Sequence, residues 1–572
     1  MASSTPQKSA PLQRPNLPDA ASSEAHALAR ASGLSVTVAD LMHRRGLTDP
    51  NALARFLDPK LSELTPPDRM ADRDAAAERI VHALRQRERI AVFGDYDCDG
   101  ITSAAILTGV LEALGGEVTP LLASRFDGGY GVSPAAVERI VASGAKLLVT
   151  CDCGSSDHAT LADVRARGLD VIVIDHHLVP DEPLPALAFL NPHRPECGFP
   201  YKGLASCGLV LSVGAAVRAR LGRVLDLRTF LDLVAIGTIA DVAPLDGDNR
   251  ALVRAGLRTL SEARRPGVRA LLELARFDAT TQLSGEDVAF RIAPRINAPG
   301  RLGSPDLALE LLLAKSHDRA RALAADVERL STERRSIQEK MIVEAVREIE
   351  EHGYHERPAI VIGRPGWSHG IVGIVAGRLA SRYERPVIVV GFEESGHGRG
   401  SVRGPKSARL HDALSRVGDA LTRFGGHQAA AGVELHQARL ADLRSAFELA
   451  TSELSPESVA EDDTHTVWLD AADAPFRVLG DIMKLEPCGQ ANPAPRVAVE
   501  ADLVAAREVK GGHLKLELEL PGARRLGGFG VGMGARAAEL RGRVVVLGRL
   551  RRDAWRGGDA VEMRVEEVHP YP

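Results

Sequence analysis

The run RIAVFGDYDCDG, residues 89–100, decides how this chain folds. Ile90–Phe93 is an apolar segment of strand length that passes directly into an acidic loop containing glycine. Before it, AAAERIVHALRQRER (75–89) sets Ile80, Val81 and Leu84 on one face at helical spacing. After it, ITSAAILTGVLEALGG (101–116) reads as a helix closed by glycine. Two more apolar, β-branched runs follow, Lys146–Cys151 and Val171–Ile174, with helical segments before and between them. Strands alternating with helices predict a parallel, doubly wound α/β sheet. Such sheets take their ligands at the carboxyl ends of their strands, and the acidic motifs of this chain follow its predicted strands directly.

Outward from this stretch, 572 residues are too many for one core and call for about three domains. The first sheet belongs to a domain over residues 41–305. From 306 to 352 the sequence is charged and lacks proline, with Leu323, Val327, Leu330, Ile337 and Met341 on one stripe, which predicts a long connecting helix. PAIVIG, IVGIVAGRLASR and PVIVVG restart the strand–helix–strand pattern in a second α/β domain over 353–455. Over 460–572, HTVWLD, RVAVEADLVAAREV, HLKLELEL, RVVVLGRLRR and VEMRVEEV predict a small β-barrel. Residues 1–40 are polar and Pro/Ser-rich at their start, without the apolar core of a signal peptide, and read as a flexible tail. No apolar run reaches the roughly 20 residues that cross a bilayer. The six cysteines show no C-x-x-C spacing and suit reduced thiols in the cytoplasm. A net charge of −5 neither advertises nor excludes nucleic acid, which would need a local basic groove.

Four segments carry acids or histidines at predicted strand ends: Gly94–Gly100, Cys151–Gly154, Asp175-His176-His177 and Ala240–Leu245. Asp95, Asp97 and Asp99 in one loop repel each other unless a cation sits among them. The loop lacks the twelfth-position glutamate of an EF-hand, which disfavours calcium. One such loop alone is as often a helix cap, but four converging on one sheet argue for a shared metal site. Asp and His ligands without thiolates favour Mn²⁺ or Mg²⁺ over structural zinc, and Cys98 and Cys153 read as packing residues.

In order and spacing, GDYDCDGITS, DCG, DHH and ADVAPL resemble motifs I to IV of the DHH phosphoesterase family. The resemblance implies two ions, Mn²⁺ or Mg²⁺, held by Asp97, Asp99, Asp152, His176 and Asp241, with Asp152 bridging. It adds Asp95 as a further acidic member, and Asp175 and His177 as catalytic groups that orient ligands or stabilise the transition state. The pyrophosphatase branch of the family has histidine where this chain has Phe93, which argues against that activity. GGHQAAAG (425–432), which reads as a Gly/Ala-rich turn before a helix, resembles the phosphate-contacting motif of the DHHA1 domain, here through His427, and Trp367–Ala376 resembles the same domain.

Arg125–Gly131, Pro294–Arg301 and Gly400–Arg403 match the branch of single-strand-specific 5′→3′ exonucleases. By that resemblance Arg125, Arg301, Ser401 and Arg403 bind the 5′-terminal phosphate, and Tyr130 stacks on a base. Pro299 and Gly404 depart from the usual alanine and serine of those motifs. The barrel resembles the OB-fold of the same branch, entered through Leu485–Pro495, with Arg549, Arg551, Arg552, Trp555 and Arg556 as a basic, aromatic-containing cluster. The expected activity is a two-metal 5′→3′ exonuclease on single-stranded DNA in recombination and repair. A single-strand-binding protein and a helicase are the expected partners of a monomer without membrane attachment. Two alternatives are a shorter-substrate phosphoesterase for nano-RNA or nucleotide phosphates, and an inactive DNA-binding relative.

Overall fold

In the computed structural model, RIAVFG forms strand β1 (Arg89–Gly94) inside a five-stranded parallel sheet. Its other members are β2 (Glu117–Leu122), β3 (Leu147–Cys151), β4 (Asp170–Ile174) and β5 (Ala188–Leu190), in the order β2-β1-β3-β4-β5. Residues 17–277, 282–405, 407–426, 430–454, 463–553, 556–558 and 560–571 are described. The part of the expected tail before residue 17, and the candidates His427 and Trp555, lie outside them. The chain divides into two compact units, Leu64–Ala460 and Met1–Glu63 with Glu461–Pro572.

Within Leu64–Ala460, β1, β3 and β4 are apolar along nearly their whole length because both faces of a parallel sheet are covered. The edge strands were not anticipated. β2 contains Pro120, tolerated at an edge where no ladder N–H is needed, and β5 has only 3 residues. The expected 306–352 helix is two helices, Asp306–Leu313 and His317–Glu351. The second starts where the Ser316 side chain accepts from the Arg319 N–H at 3.3 Å. At 35 residues it is about 50 Å long. Its first half packs on helices of the first lobe, and Met341, Ala345 and Ile349 share a core with Trp367, Val372 and Val375 of the second.

The second lobe holds β6 (Ile360–Pro365), β7 (Val387–Phe392), β8 (His397–Arg403), β9 (Arg423–Gly426) and β10 (Ala430–His436), in the order β6-β7-β8-β10-β9. Only β6–β7 is parallel. This corrects the reading of GGHQAAAG as a turn before a helix. Gly425 and Gly426 end β9, Ala430 opens its antiparallel partner β10, and Ala431, Val433 and Leu435 point inward at the two-residue period of a strand.

In the other unit, β11 (Thr466–Trp468), β12 (Arg496–Val509), β13 (His513–Leu520), β14 (Arg524–Gly530), β15 (Arg543–Arg552) and β16 (Val561–Pro570) form the OB barrel. β12 shifts register between Leu503 and Ala505, pairing with β13 along one part and with β15 along the other, which closes five strands on themselves. RRLGGFG, the sequence of β14, has the glycine content of a turn and is not among the expected strands. Pairing with β13 and β16 makes it a strand, and a Cβ on Gly528 would stand 3.1 Å from the Leu516 side chain.

The expectation of a flexible tail to residue 40 is corrected for the described part. Helices Ser23–Ser32, Val36–Arg44 and Pro50–Leu57 bury Leu28, Leu41, Met42 and Leu53 in one core with Leu514, Leu516 and Val544 of the barrel. Asp473 Oδ2 accepts from both the N–H and the hydroxyl of Thr37 at 2.8 Å, and Asp481 Oδ2 from the Ser35 N–H at 2.7 Å. Residues 41–63, expected in the catalytic domain, cluster with this unit. Among the described residues no helix is long and apolar enough to cross a membrane. Leu41→Ala should cost about 2–5 kcal/mol, measured as a lower urea midpoint for the barrel unit; an unchanged midpoint would show that the segment is not part of its core.

Candidate metal centre

The β1 loop turns at once into helix Cys98–Ala113, capped by Asp97, whose Oδ1 accepts from the N–H groups of Asp99 at 3.0 Å and Gly100 at 3.1 Å. Gly100 is required there, since a Cβ would lie 2.5 Å from the Asp95 backbone. Asp99 is buried, and its two oxygens accept from the N–H groups of Ser206 at 2.8 Å and Cys207 at 3.1 Å, at the start of helix Ser206–Leu221. Asp152 follows β3 with φ of 66°, a left-handed conformation costing a non-glycine residue roughly 1–3 kcal/mol. Its Oδ1 accepts from the Ser206 hydroxyl at 3.1 Å and lies 3.2 Å from His176 Nε2. That nitrogen is 3.8 Å from Oδ2 of Asp241, which directly follows helix Leu231–Ala240.

Asp175, at the end of β4, is fully buried and occupied. Its Oδ1 accepts from His177 Nδ1 at 2.7 Å and from the His176 N–H at 2.8 Å, and its Oδ2 from the Ser155 N–H at 3.1 Å. Three overlapping donor sets result: Asp95, Asp97 and Asp152; Asp99, His176 and Asp241; and Asp152, His176 and His177. The ligand atoms of each set lie within 4.8 Å of one another. Four segments distant in sequence thus meet at one edge of the sheet, with Asp152 and His176 in two sets each.

Burial, reinforced by neighbouring carboxylates, pushes Asp95 and Asp152 well above the usual carboxylate range and Asp241 up to about 8. Burial lowers His176. Burial also opposes charge on Asp175 and His177, but their mutual hydrogen bond prevails, holding Asp175 at about 2 and His177 at about 9. Asp95 Oδ1 and His176 Nε2 are buried without a hydrogen-bond partner among the described residues. Crowded oxygen donors, one shared imidazole and orphaned buried acceptor atoms fit divalent cations such as Mn²⁺ or Mg²⁺.

Arg125, Arg301, Ser401 and Arg403 line a cavity together with Gly425 and Gly426. Arg403 Nη1 donates to Ser401 Oγ at 2.8 Å, and Arg301 Nη1 to the Gly370 carbonyl at 3.0 Å. The Arg125 guanidinium lies 3.8 Å above the Tyr96 ring. Burial, then repulsion from Arg125 and Arg334, lowers Arg301 to about 9, and burial beside Arg125 lowers Arg403. A cavity that crowds cations in this way is suited to a multiply charged anion. Tyr130 is 45% exposed, with its hydroxyl 3.0 Å from His177 Nδ1 and 3.3 Å from the Asp152 carbonyl.

Residues 89–238 match the DHH family, N-terminal domain, residues 340–453 the DHHA1 domain, and residues 467–567 the RecJ OB domain. The chain is 40% identical to the single-stranded-DNA-specific exonuclease RecJ of Dickeya dadantii, over 78% of this chain and 80% of that protein. The chain belongs to the RecJ family. It is 36% identical to the Bacillus subtilis RecJ over 81% of its own length, and the match spans 58% of that longer protein. The crystal structure of RecJ from Thermus thermophilus with Mn²⁺ superposes with a TM-score of 0.81 at 32% identity, covering 96% of this chain and 78% of that one, and its Mg²⁺ complex with 0.75.

In this sequence, several residues of the site carry no recognisable signal. Ser206 and Cys207 hold Asp99 through backbone N–H groups, and Asn191 Nδ2 donates to the His177 carbonyl at 2.8 Å. The barrel's basic cluster is paired with acids, Arg549 with Glu566 at 3.2 Å and Arg551 with Glu562 at 2.8 Å. Phe93 lies fully buried in the sheet core, so no ligand comes from the position of the pyrophosphatase histidine.

A carboxylate raised by folding favours the folded chain below its unfolded value, 3.8, and loses that advantage as pH climbs to its folded value, about 8 for Asp241. The metal-free protein should therefore lose stability from pH 4 to 8, while cations displace the bound protons and restore it. The rise in Tm on adding 1 mM Mn²⁺ should be larger at pH 8 than at pH 5.5, by differential scanning fluorimetry. Equal rises at both would contradict the assigned cluster.

Proposed function

We infer that this chain is a metal-dependent exonuclease that degrades single-stranded DNA from its 5′ end to 5′-mononucleotides, in DNA recombination and repair. The observation that carries the reading is the sharing of Asp152 and His176 among overlapping donor sets at the carboxyl edge of the sheet. Asp97, Asp99, Asp152, His176 and Asp241 would hold two ions, Mn²⁺ or Mg²⁺. When bound, such ions supply Lewis acidity toward the phosphodiester and activate a water at neutral pH. The residues of the chain do the rest. Ser206 and the amides beside it orient Asp152 and Asp99. Asp175 keeps His177 protonated, so that this histidine can donate to charge developing on the phosphoryl oxygens. Asp95 adds negative charge beside Asp97 and helps retain the ions.

We assign the arginine cavity to the 5′-terminal phosphate: Arg125, Arg301 and Arg403 offer fork-shaped donors and Ser401 a hydroxyl. His427, outside the described residues, is a further phosphate contact by the family resemblance alone. The exposed part of the Tyr130 ring is our candidate platform for a base. The barrel suits guidance of the single strand, and the short-substrate alternative has no use for it. The inactive-relative alternative conflicts with the retained acidic set. The reading extends to a monomer working beside a helicase and a single-strand-binding protein in the cytoplasm, a compartment that suits six free thiols.

The test is digestion of 5′-phosphorylated 40-mers, single- and double-stranded, across a titration of Mn²⁺ and Mg²⁺. Mononucleotides should come from the single strand alone. Asp152→Asn should keep the fold and lower the rate by about 10³-fold or more, because both donor sets lose a charge; near-normal hydrolysis would refute the assignment. Arg403→Ala should raise KM for the phosphorylated end about 10- to 100-fold, the worth of one charge-assisted contact, with kcat less affected. A normal KM would remove Arg403 from the pocket.

A further inference from the structure

One ten-residue loop, Ser124–Ser133, runs between the arginine cavity and the metal centre. At its start Arg125 enters the arginine cavity over Tyr96. Toward its end the Tyr130 hydroxyl meets His177 Nδ1 and the Asp152 carbonyl. Between these points the loop is tightly folded. The Gly129 N–H donates to the Ser124 carbonyl at 3.0 Å, and the Ser133 hydroxyl to the Asp127 carbonyl at 2.9 Å. Gly128, Gly129 and Gly131 all adopt positive φ. A Cβ on Gly128 would stand 2.2 Å from that of Ser133, so the turn admits no side chain there.

A loop this exposed at its tip needs an anchor, and Phe126 is 52% exposed. The anchor is Asp157, which lies beyond the β3 motif and outside the metal cluster. Its Oδ2 accepts from the Val132 N–H at 2.7 Å. Its carboxylate also fills the space beside Gly131, where a Cβ would come within 2.5 Å of Oδ2. The Asp157 N–H in turn donates to the Gly154 carbonyl at 3.2 Å, which ties the anchor to the segment that carries Asp152.

We propose that Asp157 is a positioning residue whose clasp on Val132 sets Arg125 and Tyr130 in one rigid loop, so that engagement of a 5′-phosphate and alignment of His177 occur together. Nothing in the loop needs to move far. A shift of about 1 Å at a positioning group is enough to cost roughly 10²-fold in rate. The coupling rests on the assignment of the arginine cavity to the 5′-phosphate; the alignment of His177 through Tyr130 does not.

The experiment compares Asp157→Ala, Asp157→Asn and Gly131→Ala in the full chain, with Mn²⁺, on 5′-phosphorylated and 5′-hydroxyl single strands of the same sequence. The Mn²⁺-induced rise in Tm reports an intact fold and metal cluster. Asp157→Ala should keep that rise, lower kcat about tenfold or more, and shrink the preference for the phosphorylated end. Asp157→Asn, which keeps an acceptor oxygen, should recover most of both, and Gly131→Ala should copy the alanine variant because its Cβ evicts the carboxylate. Unchanged kcat and unchanged preference in both Asp157→Ala and Gly131→Ala would overturn the proposal, as would equal damage from alanine and asparagine. If the unaltered protein cleaves both ends alike, the phosphate assignment fails by itself, and a kcat loss in Asp157→Ala rescued by asparagine still supports the clasp on His177, whereas its absence ends it.

Discussion

Mutual repulsion among buried carboxylates is the constraint around which the catalytic unit is arranged. Asp95, Asp99 and Asp152 are each almost wholly removed from solvent, with Asp95 and Asp99 both repelling Asp152, and Asp99 repelling Asp241. Uncompensated burial of this kind is unfavourable, so the surrounding structure spends its polar groups on them. Two amides at the start of helix Ser206–Leu221 serve Asp99, and the Ser206 hydroxyl serves Asp152. Small residues do the complementary work. A Cβ on Gly237 would press within 2.7 Å of Asp99 Oδ1, so glycine lets the helix that leads to Asp241 approach. Even the backbone yields, with Asp152 and Val242 in the left-handed region on either side of the cluster.

The arginine cavity presents the opposite charge problem. Burial, then the charge of Arg125, lowers the proton affinity of Arg301 and Arg403, as burial and neighbouring carboxylates raise that of Asp152. A cation set at one site and an anionic end at the other would relieve both. Under the proposed reading, a polyanionic strand held at its terminus while its first linkage lies at the metals would satisfy the two in a single bound state, trading local instability in the sites for affinity.

How much of this was legible depends on where each signal is kept. β1, β3 and β4 are buried on both faces, so their sequences are unbroken apolar runs, and the acids that follow them mark the strand ends without ambiguity. β2 lies at an edge, where burial is partial and Pro120 is acceptable, and β5, though buried, is only 3 residues long, so neither stands out as a strand. β14 has two adjacent glycines, and only its neighbours make it a strand. The arginine cavity joins Arg301 to the carbonyl of Gly370, a relation that no local pattern encodes, and family resemblance alone brought those residues together. Ser206 and Cys207 act through backbone groups that every residue type possesses. The helical spacing of Leu28, Leu41, Met42 and Leu53 was present to be read, but the Pro/Ser-rich start of the chain obscured it, and the core they complete belongs to residues at the opposite end of the sequence.

That last arrangement bears on how the protein is made. The barrel unit is assembled from both ends of the polypeptide, with about 400 residues between its two pieces. At roughly 5–20 residues per second, translation of the intervening stretch takes some 20–80 s. Throughout that interval the early helices are off the ribosome with their greasy side uncovered, a natural client for a chaperone, while the catalytic unit finishes its own folding. Closure of the barrel then waits until its second piece, from Glu461 onward, has been made. A prematurely stopped chain would carry the metal centre together with an orphaned, adhesive leader.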